Sequence, residues 1–285
     1  MSLSKKIDFA VVFKVVNANP NGDPLNGNRP RTVYEGNGEV SDVCIKRKIR
    51  NRLMETGKAI FVQSDDNKND SHGSLKSRAD AVLTGVRGAD EIAKKACETW
   101  LDVRAFGQLF AFKAAGGKKA KGEEGGEDKG VSIGIRGPVS VQSAFSVSPV
   151  SLTSTQITKS VSGEGDGTKR GSDTMGMKHR VDRGIYTFYG SMNPQLAVKT
   201  EFSDDDAAAI KAVLPRLFEN DASSARPEGS MEVLKVVWWE HNCASGQCSS
   251  AKVHRSLNVQ DTDDLEKLIS FNELNGPVPE IIDGI

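Results

Sequence analysis

Residues 45–52 carry five cations and no anion: Lys46, Arg47, Lys48, Arg50 and Arg52. Such density suits phosphates, because every phosphate that a Lys or Arg neutralises releases a condensed counterion. Two further groups of bases lie far from this run in the chain. Arg29 and Arg31 stand in the segment leading into it, and Lys169, Arg170, Lys178, Arg180 and Arg183 come much later. A lone basic run is usually a solvated helix face. Three such groups, gathered around one sheet face, would instead form a track for a nucleic-acid backbone. Net charge is zero, with 38 Lys and Arg against 38 Asp and Glu, so the total offers no such hint. The cancellation is regional: residues 260–285 hold seven acids and the single base Lys267. A basic groove and an acidic flank are expected, the flank discouraging nucleic acid from wandering.

Other chemistry is weaker. His241, Cys243, Cys248 and His254 are four ligand types that suit tetrahedral zinc, but zinc knuckles pair cysteines two to four apart on a tight turn, and this spacing is looser. No metal and no cofactor is expected. The chain lacks a Walker A sequence, a G-x-G-x-x-G after a strand, H-E-x-x-H and G-x-S-x-G, so the enzymes that depend on those constellations are excluded. Aromatic residues make up 6% of the chain, and the clustered Phe and Tyr signature of RRM sheets is not found. Bases are therefore not expected to be read by stacking, and a protein that holds phosphates while leaving base edges free suits an RNA that must pair.

The elements that would position these residues follow from periodicity. Ile7, Phe9, Val11, Phe13 and Val15 share one side of a strand and Ala10, Val12 and Val16 the other, which predicts a central strand over 7–16. Asn17–Arg31, rich in Asn, Gly and Pro, predicts a turn-rich loop exposing backbone amides. Ile45, Ile49 and Leu53 recur every fourth residue and predict a helix over 42–56, with Lys46 and Arg50 on one flank of its apolar stripe and Lys48 and Arg52 on the other. Helices are expected near 74–83 and 89–101. Residues 114–130, built almost wholly of Gly, Lys, Glu, Ala and Asp, predict a mobile loop. Strands follow at 139–147 and 185–189, with a long protrusion between them. A capping box at Ser203 and Asp206 opens a helix that Pro215 ends, and 231–240 gives a last strand. This order predicts an α+β fold with the split β-α-β arrangement of ferredoxin-like and RRM-like domains.

The run Asn17-Ala-Asn-Pro-Asn-Gly-Asp-Pro24 directly after the first strand, followed by Asn28-Arg-Pro-Arg31, resembles the N-terminal signature of the seventh CRISPR-associated protein family, best in its type I-C form. Asp102-Val-Arg-Ala-Phe-Gly107, Gly137-Pro138 and Ser191-Met-Asn-Pro194 look like later landmarks of that family. The resemblance implies one domain over 1–285. Its RRM-like palm would carry helical fingers at 58–130 and a hairpin thumb at 150–183. It further implies a non-catalytic subunit whose copies stack along a CRISPR guide RNA, beside other Cascade subunits, and present the guide to target DNA that a separately recruited nuclease-helicase cuts. Residues implied in RNA binding are Asn19, Asn21, Arg29, Arg31, Lys46, Arg47, Arg50, Arg136, Lys169, Arg170, Met175, Met177, Lys178, His179, Arg180 and Arg183. Met175 and Met177, the large apolar side chains of a polar stretch, can wedge between bases or contact a neighbouring copy. The alternative is an endoribonuclease of the same superfamily, with His179 as acid or base, or Asp42 as a target-cutting carboxylate. No run of eighteen apolar residues occurs, the first residues lack a signal-peptide core, and four cysteines suggest no disulfide scaffold. A cytoplasmic, membrane-free protein is expected.

Overall fold

The computed structural model describes residues 1–112, 131–159 and 175–285. The loop expected at 114–130, and Lys169 and Arg170, lie outside the described residues. In chain order, strand β1 (Ile7–Ala18) leads through the two-residue strands β2 (Gly22–Asp23) and β3 (Arg29–Pro30) to β4 (Asn37–Val40) and helix α1 (Asp42–Glu55). Helices α2 (Leu75–Leu83), α3 (Ala89–Thr99) and α4 (Leu101–Phe106) precede the antiparallel pair β5 (Gln108–Phe112) and β6 (Val131–Ile135). Strands β7 (Val139–Val141), β8 (Ala144–Pro149), β9 (Leu152–Thr158) and β10 (Met175–Met192) follow, then α5 (Pro194–Thr200), α6 (Asp204–Val213) and β11 (Met231–Glu240). The last elements are α7 (Ser250–Ser256), β12 (Leu257–Val259), β13 (Ile269–Phe271) and β14 (Pro279–Asp283).

One mixed α/β arrangement organises the chain. The main sheet runs β14-β11-β1-β10-β8-β4, and β7 and β9 also pair with β10. β1 is central because both its faces are apolar, so both its edges are antiparallel ladders, Ile7 to Met192 on one side and Ile7 to Glu240 on the other. The inner face of β1 (Phe9, Val11, Phe13, Val15) packs on the α1 stripe of Ile45, Ile49 and Leu53 and on Ala207, Ile210 and Val213 of α6. Each fully buried large aliphatic of that stripe contributes about 1.5–3 kcal/mol.

The outer face of the sheet is also covered. Ala10, Val237 and Trp239 bury under Val253 and Leu257, and Val12 and Ile185 under Leu268, so the C-terminal segment from α7 to β13 caps it. A third core lies within 60–135, where Phe61, Leu83, Cys97, Trp100, Phe110 and Ile133 pack together.

Local differences from the sequence reading have physical causes. The strand expected at 139–147 is two strands, broken at Gln142 and Ser143, and β10 is far longer than 185–189 because its first half pairs with β9 and its second with β1. The helix expected to reach Leu101 stops at Thr99, since Trp100 adopts an extended backbone and buries its ring against Phe61.

Candidate nucleic-acid interface

The loop after β1 is built by its own asparagines. Asn17, the penultimate residue of β1, has φ +52° and Asn28 sits at φ +60°, left-handed conformations that Asn tolerates better than most residues. The Asn19 amide donates to the Asn28 carbonyl at 2.7 Å. Asp23 caps a 3-10 turn at Pro24–Asn26 by accepting from the Leu25 amide. A Cβ on Gly22 would stand 2.0 Å from Asn28 Oδ1, so any other residue there would push the Asn28 side chain out of its place. Asn21 Oδ1 accepts from both the backbone N–H and the hydroxyl of Ser41, each at 2.9 Å, and Ser41 in turn caps α1. The motif thus fastens the loop to the start of the basic helix.

The five cations of that helix have distinct environments. Lys48 is 1% exposed; burial pushes its ammonium pKa down, against the opposing pull of Asp221, with which it pairs. Arg52 is buried and pairs with Glu55. Lys46 meets Asp42 at 2.9 Å, one turn back on the helix. Arg50 lies over the Phe106 ring and donates Nε to Asp102 at 2.8 Å. Asp102 is itself buried and accepts from the amides of Phe61 and Val62, so it holds α1, the 60–62 segment and α4 together. Arg47 Nε is buried with no hydrogen-bond partner among the described residues.

A cleft of about 410 Å³ opens between the loop and this helix, lined by Pro20, Asn21, Val43, Arg47, Arg50 and Arg226, among others. Arg226 was not foreseen. It reaches the cleft from the segment before β11, with Nε on Asp221 at 3.2 Å and a terminal nitrogen on the Asn19 carbonyl at 3.4 Å. Two of the three guanidiniums are therefore held through Nε by carboxylates, Arg50 by Asp102 and Arg226 by Asp221. Nothing in the composition around Arg226 marks it, because its place depends on a nearly buried partner, Asp221, that also holds Lys48.

The other expected site residues are dispersed. Arg29 and Arg136 are exposed, and Arg31 lies 3.6 Å from Asp23. Ala18 pairs with Val181, which sets the loop against the base of the β9–β10 hairpin. Along that hairpin Lys178, Met175 and Met177 are exposed, His179 Nδ1 shares a 2.7 Å hydrogen bond with Ser154, and Arg180 meets Asp182. Arg183 instead faces outward with Lys14, on the side capped by the C-terminal segment. Of the third basic group, Arg183 therefore does not join the loop and helix that flank the cleft but stands across the sheet.

His241 and His254 converge on Asp8, which is fully buried: His241 Nε2 lies 2.9 Å and His254 Nε2 3.4 Å from its oxygens, and Lys6 Nζ 3.2 Å away. His241 Nδ1 accepts from the Gln247 amide at 2.9 Å. Burial raises the Asp8 pKa, but His254, Ser250, His241 and Lys6 outweigh it and bring it down to about 2. Among the described residues no three His, Cys, Asp or Glu side chains are grouped to hold a metal. The landmark glycines have a packing role, since a Cβ on Gly107 would meet the Ile135 carbonyl at 2.2 Å and one on Gly137 the Ala105 carbonyl at 2.2 Å. Asn193, before Pro194, caps α5.

The family model for CRISPR-associated protein Cas7 matches residues 5–277. The chain belongs to the Cas7 family. A CRISPR-associated protein Cas7 from Haloferax volcanii is 28% identical over 250 residues, 83% of this chain and 71% of that one. Among solved structures, a chain of a pre-nicking CRISPR RNA-guided surveillance complex is similar with a TM-score of 0.48 and 18% identity, over 82% of this chain and 75% of that one. A chain of another CRISPR RNA-guided surveillance complex gives 0.44 and 15%, over 92% and 78%. No helix among the described residues of this Cas7 chain is long and apolar enough to cross a membrane.

Proposed function

We propose that this chain is a non-catalytic backbone subunit of a CRISPR surveillance complex, of type I-C form, that binds guide RNA through the cleft between the Asn17–Arg31 loop and α1. Membership of the Cas7 family supports the class, and the Asn17–Pro24 run supports the subtype. The strand order β11-β1-β10-β8, with α1 and α6 on one face, supports an RRM-like palm, the separate core within 60–135 supports fingers at 58–130, and the β9–β10 pairing supports a thumb at 150–183. The partners on this reading are guide RNA, target DNA paired to it, further copies of the chain, other Cascade subunits and a nuclease-helicase.

One observation carries the site: Arg47, Arg50 and Arg226 line one cleft, and two of them are fixed by buried or nearly buried carboxylates. A guanidinium anchored through Nε keeps terminal N–H groups for a phosphate and loses little freedom on binding. Asn19 and Asn21 act by shaping the loop. Titration of labelled repeat-derived and unrelated single-stranded RNA at several salt concentrations tests this. Arg47→Ala and Arg226→Ala should weaken both RNAs alike, and each should flatten the log-log salt slope by about 0.7. An unchanged slope in both variants refutes the assignment, and cleavage of either RNA that His179→Ala or Asp42→Ala abolishes would establish the nuclease instead.

A further inference from the structure

Across the sheet from the cleft lies a second pair of cations. Lys14 of β1 and Arg183 of β10 project from the outer face, diagonal to one another in the ladder that sets Val16 against Arg183 and Lys14 against Ile185. In many split β-α-β sheets this is the face that receives RNA. Here the residues between α7 and β13 occupy it, and their acidic turn ends on these two cations. Asp261 Oδ1 is 2.5 Å from one terminal nitrogen of Arg183, Asp263 Oδ1 is 3.2 Å from the other, and the same Asp263 oxygen is 2.8 Å from Lys14 Nζ. Two carboxylates thus sit where two phosphates would, one of them bridging both cations. The turn that presents them is self-supporting, with Thr262 Oγ1 accepting from the Asp264 amide, Asp264 from the Glu266 amide, and Lys267 paired to Asp264. Leu268 anchors its end among Val12 and Ile185.

We propose that Asp261 and Asp263 mask a latent phosphate-binding surface at Lys14 and Arg183, confining RNA to the cleft on the other side of the sheet. The inference rests on the RNA-binding reading above. The mask explains why an acidic tail belongs on a nucleic-acid binder. A filament-forming subunit with two phosphate tracks would bind a long RNA in two registers, and two bridging carboxylates suppress one of them without removing the cations that pin the C-terminal segment. Lys14 and then Arg183 hold the Asp263 carboxyl below its usual range, so the mask stays charged at neutral pH.

The test uses the full chain and labelled mixed-sequence single-stranded RNA. Asp261→Asn with Asp263→Asn should bind more tightly at low salt and steepen the log-log slope by about 1.4, two added phosphates at about 0.7 each. That is a gain which shrinks about sevenfold between about 50 and 200 mM salt. Adding Lys14→Ala and Arg183→Ala to that variant should abolish the gain. Lys14→Ala with Arg183→Ala alone should leave affinity within about twofold of wild type, and this pair decides the matter should the Asn variant lose its fold. Unchanged affinity and slope in a folded Asn variant overturn the mask, as does a large loss from the cation pair alone, which would mean that these cations already bind RNA. Wild type that fails to bind RNA refutes the guide-RNA reading and the mask with it, whereas intact wild-type binding with a silent Asn variant refutes the mask only.

Discussion

Replacing Asp8 by Asn tests whether the buried carboxylate clasps the C-terminal cap to the sheet. Asp8 is 0% exposed and takes His241, His254 and Lys6 around its two oxygens. Its pKa of about 2, against an ordinary 3.8, means that the folded chain favours the ionised form. At 1.36 kcal/mol per tenfold change in proton affinity, that difference amounts to about 2 kcal/mol. The sign follows from linkage: the unfolded chain takes up the proton first, so the contribution is complete above 3.8 and is lost as pH falls through about 2. Urea unfolding of wild type and Asp8→Asn, followed from neutral pH downward, should give a free-energy gap of about 2 kcal/mol at neutral pH. That gap should stay level down to about pH 5, narrow below about pH 4 and be mostly gone at about pH 2. Comparing the two proteins cancels carboxylates that titrate in both. A gap that stays flat across that range would show that Asp8 acts through shape alone, and the clasp argument would fail.

Asp221→Asn should destabilise by about 3 kcal/mol or more in urea unfolding, because it leaves the Lys48 ammonium buried without its carboxylate; the same variant should weaken RNA binding as Arg226 loses its anchor. A stability change under about 1 kcal/mol would contradict the first expectation, and unchanged RNA affinity the second. Met175→Ala with Met177→Ala should leave the melting temperature nearly unchanged, since both side chains are exposed, while relaxing the periodic nuclease protection of bound RNA. An unchanged footprint would remove these residues from RNA spacing.

Where period and burial coincide, the fold was legible. β1, α1, α6 and β11 each carry a single strong apolar pattern, and each forms within two residues of its expected bounds. α7, β12 and β13 were not foreseen, because their apolar residues are few. The site was half legible. The Asn-rich run marked the loop and the basic run marked the helix, but charge patterning cannot tell a cation in a cleft from one buried in a pair. Lys48 and Arg52 are of the second kind, and Lys48 and Arg50 are sorted by two aspartates far away in the chain, Asp221 and Asp102, the first of which also holds Arg226. His241 and His254, tested as zinc ligands by spacing, share a carboxylate that is more than two hundred residues upstream.

The position of β1 also constrains how the chain is made. It is synthesised long before either of its partners, since Ile7 pairs with Met192 on one edge and Glu240 on the other. An apolar strand with two unpaired edges must therefore wait while most of the chain is synthesised, a hazard for non-native pairing. The 60–135 region, with contacts that are local and a core of its own, can fold meanwhile. Nascent chains arrested before β10 should then show a structured middle and a β1 that is open to chaperones, with protection of its amides arriving only once β11 has cleared the exit tunnel.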